Sequence, residues 1–257
     1  MRVPPTAAIM EQTGARTPRR AHTALPDKLE PMPTRPQQPT KDAPIPPDTG
    51  RPAPGALLLT LLFCLPALLF ALLTWQVTAD GPLLGVDERL SRALTHPDPA
   101  FEPLADLGNV SVAVPVLLLV VWYVARRARA AGAGRWWLPP AAALAPMALM
   151  PLIVIPLKEW TDRPGTPVVP PATGYYPSGH TATAAAAYGA AALVLLPWLL
   201  TALVRRAVAA TAVVLVGAVS LGLVRQGYHW PSDVVASWCL GTVLLGALWL
   251  LLRRVGR

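Results

Sequence analysis

Two of the chain's four histidines sit in short polar stretches, each beside a long apolar run: "YYPSGHTA" over residues 175–182 and "YHWPSD" over 228–233. His229 and Asp233 are four apart, so a helix would put them on one face. A carboxylate that accepts one imidazole N–H fixes the tautomer and leaves the other nitrogen free as a nucleophile. Ser178, Gly179 and His180 read as a helix N-terminus, where free backbone N–H groups and the helix dipole bind an anion. Gly179 allows a ligand to approach the backbone closely. His180 can then protonate a leaving oxygen, a role worth about 10²–10⁴-fold. Lys158, Arg163 and Arg225 can neutralise a phosphoryl group and its transition state. The chemistry these residues suit is work on one phosphate. No His/Cys set has metal-ligand spacing, so neither a metal nor a cofactor is expected.

The elements that must position these groups are membrane spans. Of the 257 residues 53% are hydrophobic and only 14% charged, against roughly 25% charged in soluble domains. Six apolar runs approach or exceed the roughly 18 residues that a bilayer core demands. They cover about Ala56–Val77, Leu107–Ala125, Trp136–Leu157, His180–Leu199, Ala207–Val224 and Ser232–Leu252. Backbone in lipid must satisfy its own hydrogen bonds, so each is expected to be a helix. Residues 1–54 hold 13 of the 31 prolines. Such a segment buries too little apolar surface to offset its ordering entropy and is expected to be a disordered tail. Residues 55–257 then form the membrane domain. No secretory-signal pattern opens the chain. Cys64 and Cys239 fall inside apolar runs and read as small buried hydrophobes. The connection between the first two spans carries six acids against two arginines. It reads as one or two amphipathic helices along the membrane surface.

The charges orient the spans. The tail is net basic, "RRARAAGAGR" follows the second span, Arg205 and Arg206 fall between the fourth and fifth, and "RRVGR" ends the chain. The positive-inside rule puts these four segments and both termini in the cytoplasm. The acidic first connection and the connections 158–179 and 225–231 then face outward. From His180 the chain crosses inward and returns, so His229 reaches the face that already holds Lys158. The net charge of +8 is thus accounted for by orientation, and no nucleic-acid partner is expected.

Each residue also has a plainer reading. Lys158 can snorkel at a helix end. Ser178 can be only an N-cap, and Ser232 or Asp233 a cap for the last helix. Arg163 and Arg225 can be loop charges, and His22 and His96 solvated surface residues. Tyr175, Tyr176, Trp160 and Trp230 read as interfacial belt aromatics. The joint placement on one face outweighs these readings.

"PSGH" followed by "HWPSD", with an upstream Lys and Arg-Pro, resembles the type 2 phosphatidic acid phosphatase superfamily, related in fold to glucose-6-phosphatase and the vanadium haloperoxidases. The resemblance covers about residues 56–252. It implies an all-α bundle of six transmembrane helices, a metal-independent reaction and a covalent phosphohistidine. By motif position it makes His229 the nucleophile, Asp233 its orienting partner and His180 the acid on the leaving group. Lys158, Ser178 and Gly179 would bind phosphate. Two positions depart from the family pattern. Its first motif places an Arg at what is Gly165 here, and Arg163 stands two positions early. Its third motif places Ser-Arg at what are Gly222 and Leu223 here, and Arg225 stands two positions late. The expected activity is hydrolysis of a lipid-linked phosphate or pyrophosphate at the outer face of a bacterial plasma membrane. Polyprenyl pyrophosphate, phosphatidic acid and phosphatidylglycerol phosphate are the candidates. A phosphotransferase on the same fold and an inactive membrane binder or scaffold are the alternatives. A transporter is disfavoured, because no ionisable residue lies near the middle of any span.

Overall fold

A computed structural model describes residues 54–255. The predicted tail, with His22, lies outside the described residues. Among the described residues there are eight α-helices and no strand. They are α1 (Pro54–Thr78), α2 (Leu83–Leu94), α3 (Glu102–Asp106), α4 (Val110–Ala130), α5 (Leu138–Thr161), α6 (Gly179–Leu195), α7 (Ala202–Arg225) and α8 (Pro231–Val255). Six of them, α1 and α4 to α8, are long and apolar enough to cross a membrane. The all-α, six-span reading therefore holds.

Several boundaries move by a few residues. α5 runs four residues beyond Leu157, so Lys158 lies in its last turn instead of in a loop. α7 begins at Ala202, where the Thr201 side chain caps Val204 N at 3.2 Å, so Arg205 and Arg206 lie on the helix. Arg127 and Arg129 likewise form the last turn of α4. Charged residues at span ends continue the helix because their stems lie along apolar surface while the heads reach water. Leu107, expected to open the second span, instead precedes α4 with Gly108 and Asn109.

The small residues of α6, "GHTATAAAAYGAAALVL", put it at the centre of the bundle. Twelve of its residues are buried. It packs against α4, α5, α7 and α8. Ala and Gly allow the close backbone approach that helix packing in lipid depends on. The outer faces are leucine and valine: Leu68, Leu152, Leu203 and Val213 are all exposed, as lipid-facing positions should be. Cys239 is buried as expected, but Cys64 is exposed on α1. The acidic first connection forms α2, a single turn over Pro99–Phe101, and α3. It is less superficial than its composition suggests: α2 buries Asp87 and Ser91, and α3 packs on α7.

Candidate active site

α5 ends, and α4 and α6 begin, around one cavity of about 1100 Å³, which His229 lines from the turn before α8. Its polar end is lined by Lys158, Gly179, His180, His229 and Asn109, and its apolar wall by Met147, Met150, Pro151, Val154 and Ile155 of α5. The two motif turns are tied to each other directly. Ser178 N donates to Asp233 O at 3.1 Å, and Ser237 Oγ donates to Ser178 O at 2.8 Å. Contacts between residues so distant in sequence fix the start of α6 against the start of α8. Thr166 Oγ1 donates to Gly227 O and ties the third connection to the fifth.

His229 Nδ1 lies 3.1 Å from Asp233 Oδ2. Asp233 is fully buried and also accepts Trp230 N at 3.1 Å and Arg163 Nη1 at 2.5 Å. A carboxylate only accepts, so Nδ1 must donate, and in the neutral ring Nε2 then carries the lone pair. Among the described residues Nε2 has no protein partner. The Tyr175 ring stands edge-on to His229 at 5.7 Å between centroids.

His180 Nε2 lies 2.8 Å from Asn109 Oδ1. Ser178 is the N-cap of α6, its Oγ accepting Thr181 N at 3.4 Å, and it is fully buried. Gly179 faces open space: an added Cβ would meet nothing nearer than Lys158 Cε at 4.0 Å. Lys158 Nζ donates to Gly174 O at 2.5 Å and reaches the cavity from the end of α5.

The two arginines fall elsewhere. Arg163 is buried and spends both terminal nitrogens on carboxylates. Nη2 meets Asp87 Oδ2 at 2.6 Å, and Nη1 meets Asp233 Oδ1 and Ser232 Oγ at 2.5 and 2.7 Å. It lines a different cavity, with Asp80, Glu88 and Trp230. Arg225 stacks on Phe101, Cζ 5.1 Å from the ring centroid, and does not line the site cavity. The reason is visible at the vacated positions. A Cβ on Gly165 would lie 2.5 Å from Val169 Cγ2 and 2.7 Å from the Tyr175 ring, so no longer side chain starts there. Leu223 is packed into the main core at 1% exposure. The arrangement therefore brings together Lys158, Gly179, His180 and His229, with Asp233 behind His229. It does not bring Arg163 or Arg225 to the cavity.

Sequence reading missed Asn109 and Asp87. Both belong to the acidic first connection, and the one signal available was that acidity beside a site rich in cations. Tyr176 is a correction to the belt reading. It is fully buried, with its hydroxyl 2.8 Å from Thr74 Oγ1. Burial pushes its phenol well above the usual range, so it stays protonated. Trp160 is exposed, as a belt residue should be. Trp230 is held by a 3.0 Å bond from Nε1 to Pro164 O.

Residues 155–257 match the PAP2 superfamily. No curated protein matches the sequence. Among solved structures, the fold matches the first transmembrane PAP2-type phosphatidylglycerolphosphate phosphatase, from Bacillus subtilis. The TM-score is 0.60 and the identity 23%, over 74% of this chain and 96% of that one. The superfamily resemblance is thus borne out, in sequence over residues 155–257 and in fold by a transmembrane PAP2 structure.

Proposed function

We propose that this protein hydrolyses a lipid-linked phosphate or pyrophosphate through a phosphohistidine on His229. The observation that carries the reading is the single cavity. It joins two histidines and Lys158 to an apolar wall on α5, and His229 is backed by the buried Asp233. A head group would meet the polar end while its chain lies along Met147, Met150 and Ile155. Phosphatidylglycerol phosphate heads the candidates because the matched structure acts on it. Phosphatidic acid and polyprenyl pyrophosphate follow.

The steps balance without a further reactant but water. His229 Nε2 attacks phosphorus and the bond to the leaving oxygen breaks. Asp233 accepts the Nδ1–H and stabilises the positive charge that develops on the ring. Protonated His180 gives its proton to the leaving oxygen. Water then attacks the phosphohistidine and His180 takes its proton. Inorganic phosphate forms and His229 is restored. Lys158 and the backbone N–H groups at the start of α6 hold the phosphoryl oxygens. The ends of α4 and α8 that carry Arg127, Arg129, Arg253 and Arg254, and the start of α7 with Arg205 and Arg206, lie one span away from the ends that build the site. The positive-inside rule therefore favours an extracytoplasmic site and cytoplasmic termini.

A second reading is favoured by one observation. Arg163 is engaged by two carboxylates, so Lys158 is the one lysine or arginine among the described residues lining the cavity. That suits a weakened or inactive member that binds the lipid without turning it over. A phosphate-release assay on the three lipids in detergent, with EDTA and with His229→Ala, separates the two. Release that survives EDTA and vanishes in the variant supports the hydrolase. Lipid binding without release supports the inactive binder. Label transferred to an acceptor other than water would mark a phosphotransferase.

A further inference from the structure

The tripeptide Leu107–Gly108–Asn109 lies outside any helix, yet it is pressed against the start of α6. The Tyr188 hydroxyl donates to Leu107 O at 2.6 Å. A Cβ on Gly108 would lie 2.9 Å from both His180 Cβ and His180 O, and 2.8 Å from Val219 Cγ1. Only glycine lets the strand of chain come this close. The result is that Asn109 reaches the His180 ring.

Donor and acceptor chemistry then determines the state of that ring. Asn109 Nδ2 lies 2.8 Å from Asp106 Oδ1. A carboxylate accepts and does not donate, so the amide NH₂ end must face Asp106. Asn109 Oδ1 therefore faces His180 Nε2, at 2.8 Å. An amide oxygen also only accepts, so Nε2 must carry a hydrogen. In the neutral ring the other nitrogen, Nδ1, then has the lone pair. Nδ1 has no partner among the described residues and is not fully buried, on a residue that lines the cavity.

We propose that Asn109, oriented by Asp106, is the positioning residue of His180, and that His180 works through Nδ1. This rests on the hydrolase reading above. Nε2–H stays on Asn109 throughout. When the ring is protonated, the Nδ1–H bond breaks as an O–H bond forms on the leaving oxygen. In the second step Nδ1 takes a proton from the attacking water, and the imidazolium is restored. Asn109 thus does for His180 what Asp233 does for His229, on the opposite ring nitrogen.

The test compares two substrates in detergent. One is phosphatidic acid or phosphatidylglycerol phosphate, whichever the wild type turns over faster, with a poor alkoxide leaving group. The other is p-nitrophenyl phosphate, whose phenolate leaves without a proton. Asn109→Leu keeps the branched heavy-atom shape and loses the acceptor. It should lower kcat on the lipid by roughly 10–100-fold, within the range of a misplaced general acid. On p-nitrophenyl phosphate the first release of nitrophenolate, which needs no proton, should fall far less than the first turnover of the lipid, while the water step that follows slows on both. Asp106→Ala, an exposed site, should show the same asymmetry more weakly. Independently of activity, ¹⁵N spectra of the neutral His180 ring in wild type should show hydrogen on Nε2. The proposal is overturned by equal losses in the first turnover of both substrates, by no loss in either variant, or by hydrogen on Nδ1. His180→Ala is the control for the underlying reading. If that variant keeps full lipid turnover, the hydrolase assignment itself fails. If it loses turnover while Asn109→Leu does not, only the inference fails.

Discussion

The two histidines of the site are supported in opposite ways. His229 is backed by charge in a dry setting. Asp233 and Asp87 are buried, and Arg163 bridges them at 2.5 and 2.6 Å. His180 is backed by a neutral amide at a half-exposed position, itself held by the exposed Asp106. The difference matches the two proposed roles. A nucleophile gains positive charge as it attacks, and a fixed carboxylate stabilises that charge. A general acid must release its proton, and an amide orients the ring without adding an anion that would hold the proton back. Part of each support comes from one segment. Asp87 on α2, Asp106 at the end of α3 and Asn109 just after it all lie in the acidic first connection.

The largest effect should come from breaking the charged support. Asp87 accepts from Arg163 Nη2, from Ser232 N at 2.9 Å and from Ser232 Oγ at 2.5 Å. Asp87→Ala leaves a buried guanidinium half-paired, at a cost on the order of 3–5 kcal/mol when one partner of a buried pair is removed. Thermal unfolding in detergent should show a large drop, and lipid turnover should fall with it. The double variant Asp87→Leu/Arg163→Met separates stability from chemistry. Filling the site with apolar volume should restore only part of the stability, because the buried Asp233 is left without its cation. It should not restore kcat, because Asp233 loses the bond that holds it toward His229. Full recovery of kcat would mean that His229 depends on Asp233 alone.

How much of this was legible beforehand follows from how each contact is made. Six spans and the two histidine motifs could be read because each is local: an apolar run of fixed length, or groups a few residues apart at a helix start. His229 and Asp233 meet for that reason, at four residues' spacing. The plain reading of Ser178 as an N-cap could also be read, and the structure shows that bond. Asn109 and Asp87 could not be read. They reach α6 and α8 from 71 and 145 residues away in sequence, to His180 and Ser232. No periodicity encodes such a distance. The displaced arginines could be counted but not placed. Motif spacing flagged Gly165 and Leu223, yet only packing shows that the Tyr175 ring and the core fill those positions.

A smaller effect should come from the neutral support. Gly108→Ala keeps every polar group but inserts a methyl 2.9 Å from His180 Cβ. Overpacking of this kind costs about 1–3 kcal/mol. The Leu107–Asn109 segment should lift from α6 and carry Asn109 away from the ring. Lipid kcat should fall by about tenfold, equivalent to about 1.4 kcal/mol of barrier, with KM little changed. A rise in KM with kcat intact would show that the segment shapes the cavity and does not orient His180.

The smallest effect is expected at Arg225, the stand-in for the arginine that motif counting places at Leu223. Its guanidinium lies over Phe101 at 5.1 Å, its Nε is buried without a partner, and it does not line the cavity. What it does in this position is pack α7 against the turn before α3. Such a contact is worth about 0.5–1 kcal/mol at a partly exposed site. Arg225→Gln should therefore lower thermal stability slightly and leave lipid turnover within about threefold of wild type, under 1 kcal/mol of barrier. The measurement is decisive because Arg225 is the one arginine near the position where the family motif carries a phosphate ligand. An arginine that clamps a phosphoryl group is removed at a cost of about a hundredfold or more, near 2.7 kcal/mol. A loss of that size would bring Arg225 into the site during turnover. The charge at the cavity would then no longer rest on Lys158 alone, and the contrast between the two histidines would have to include a shared cation.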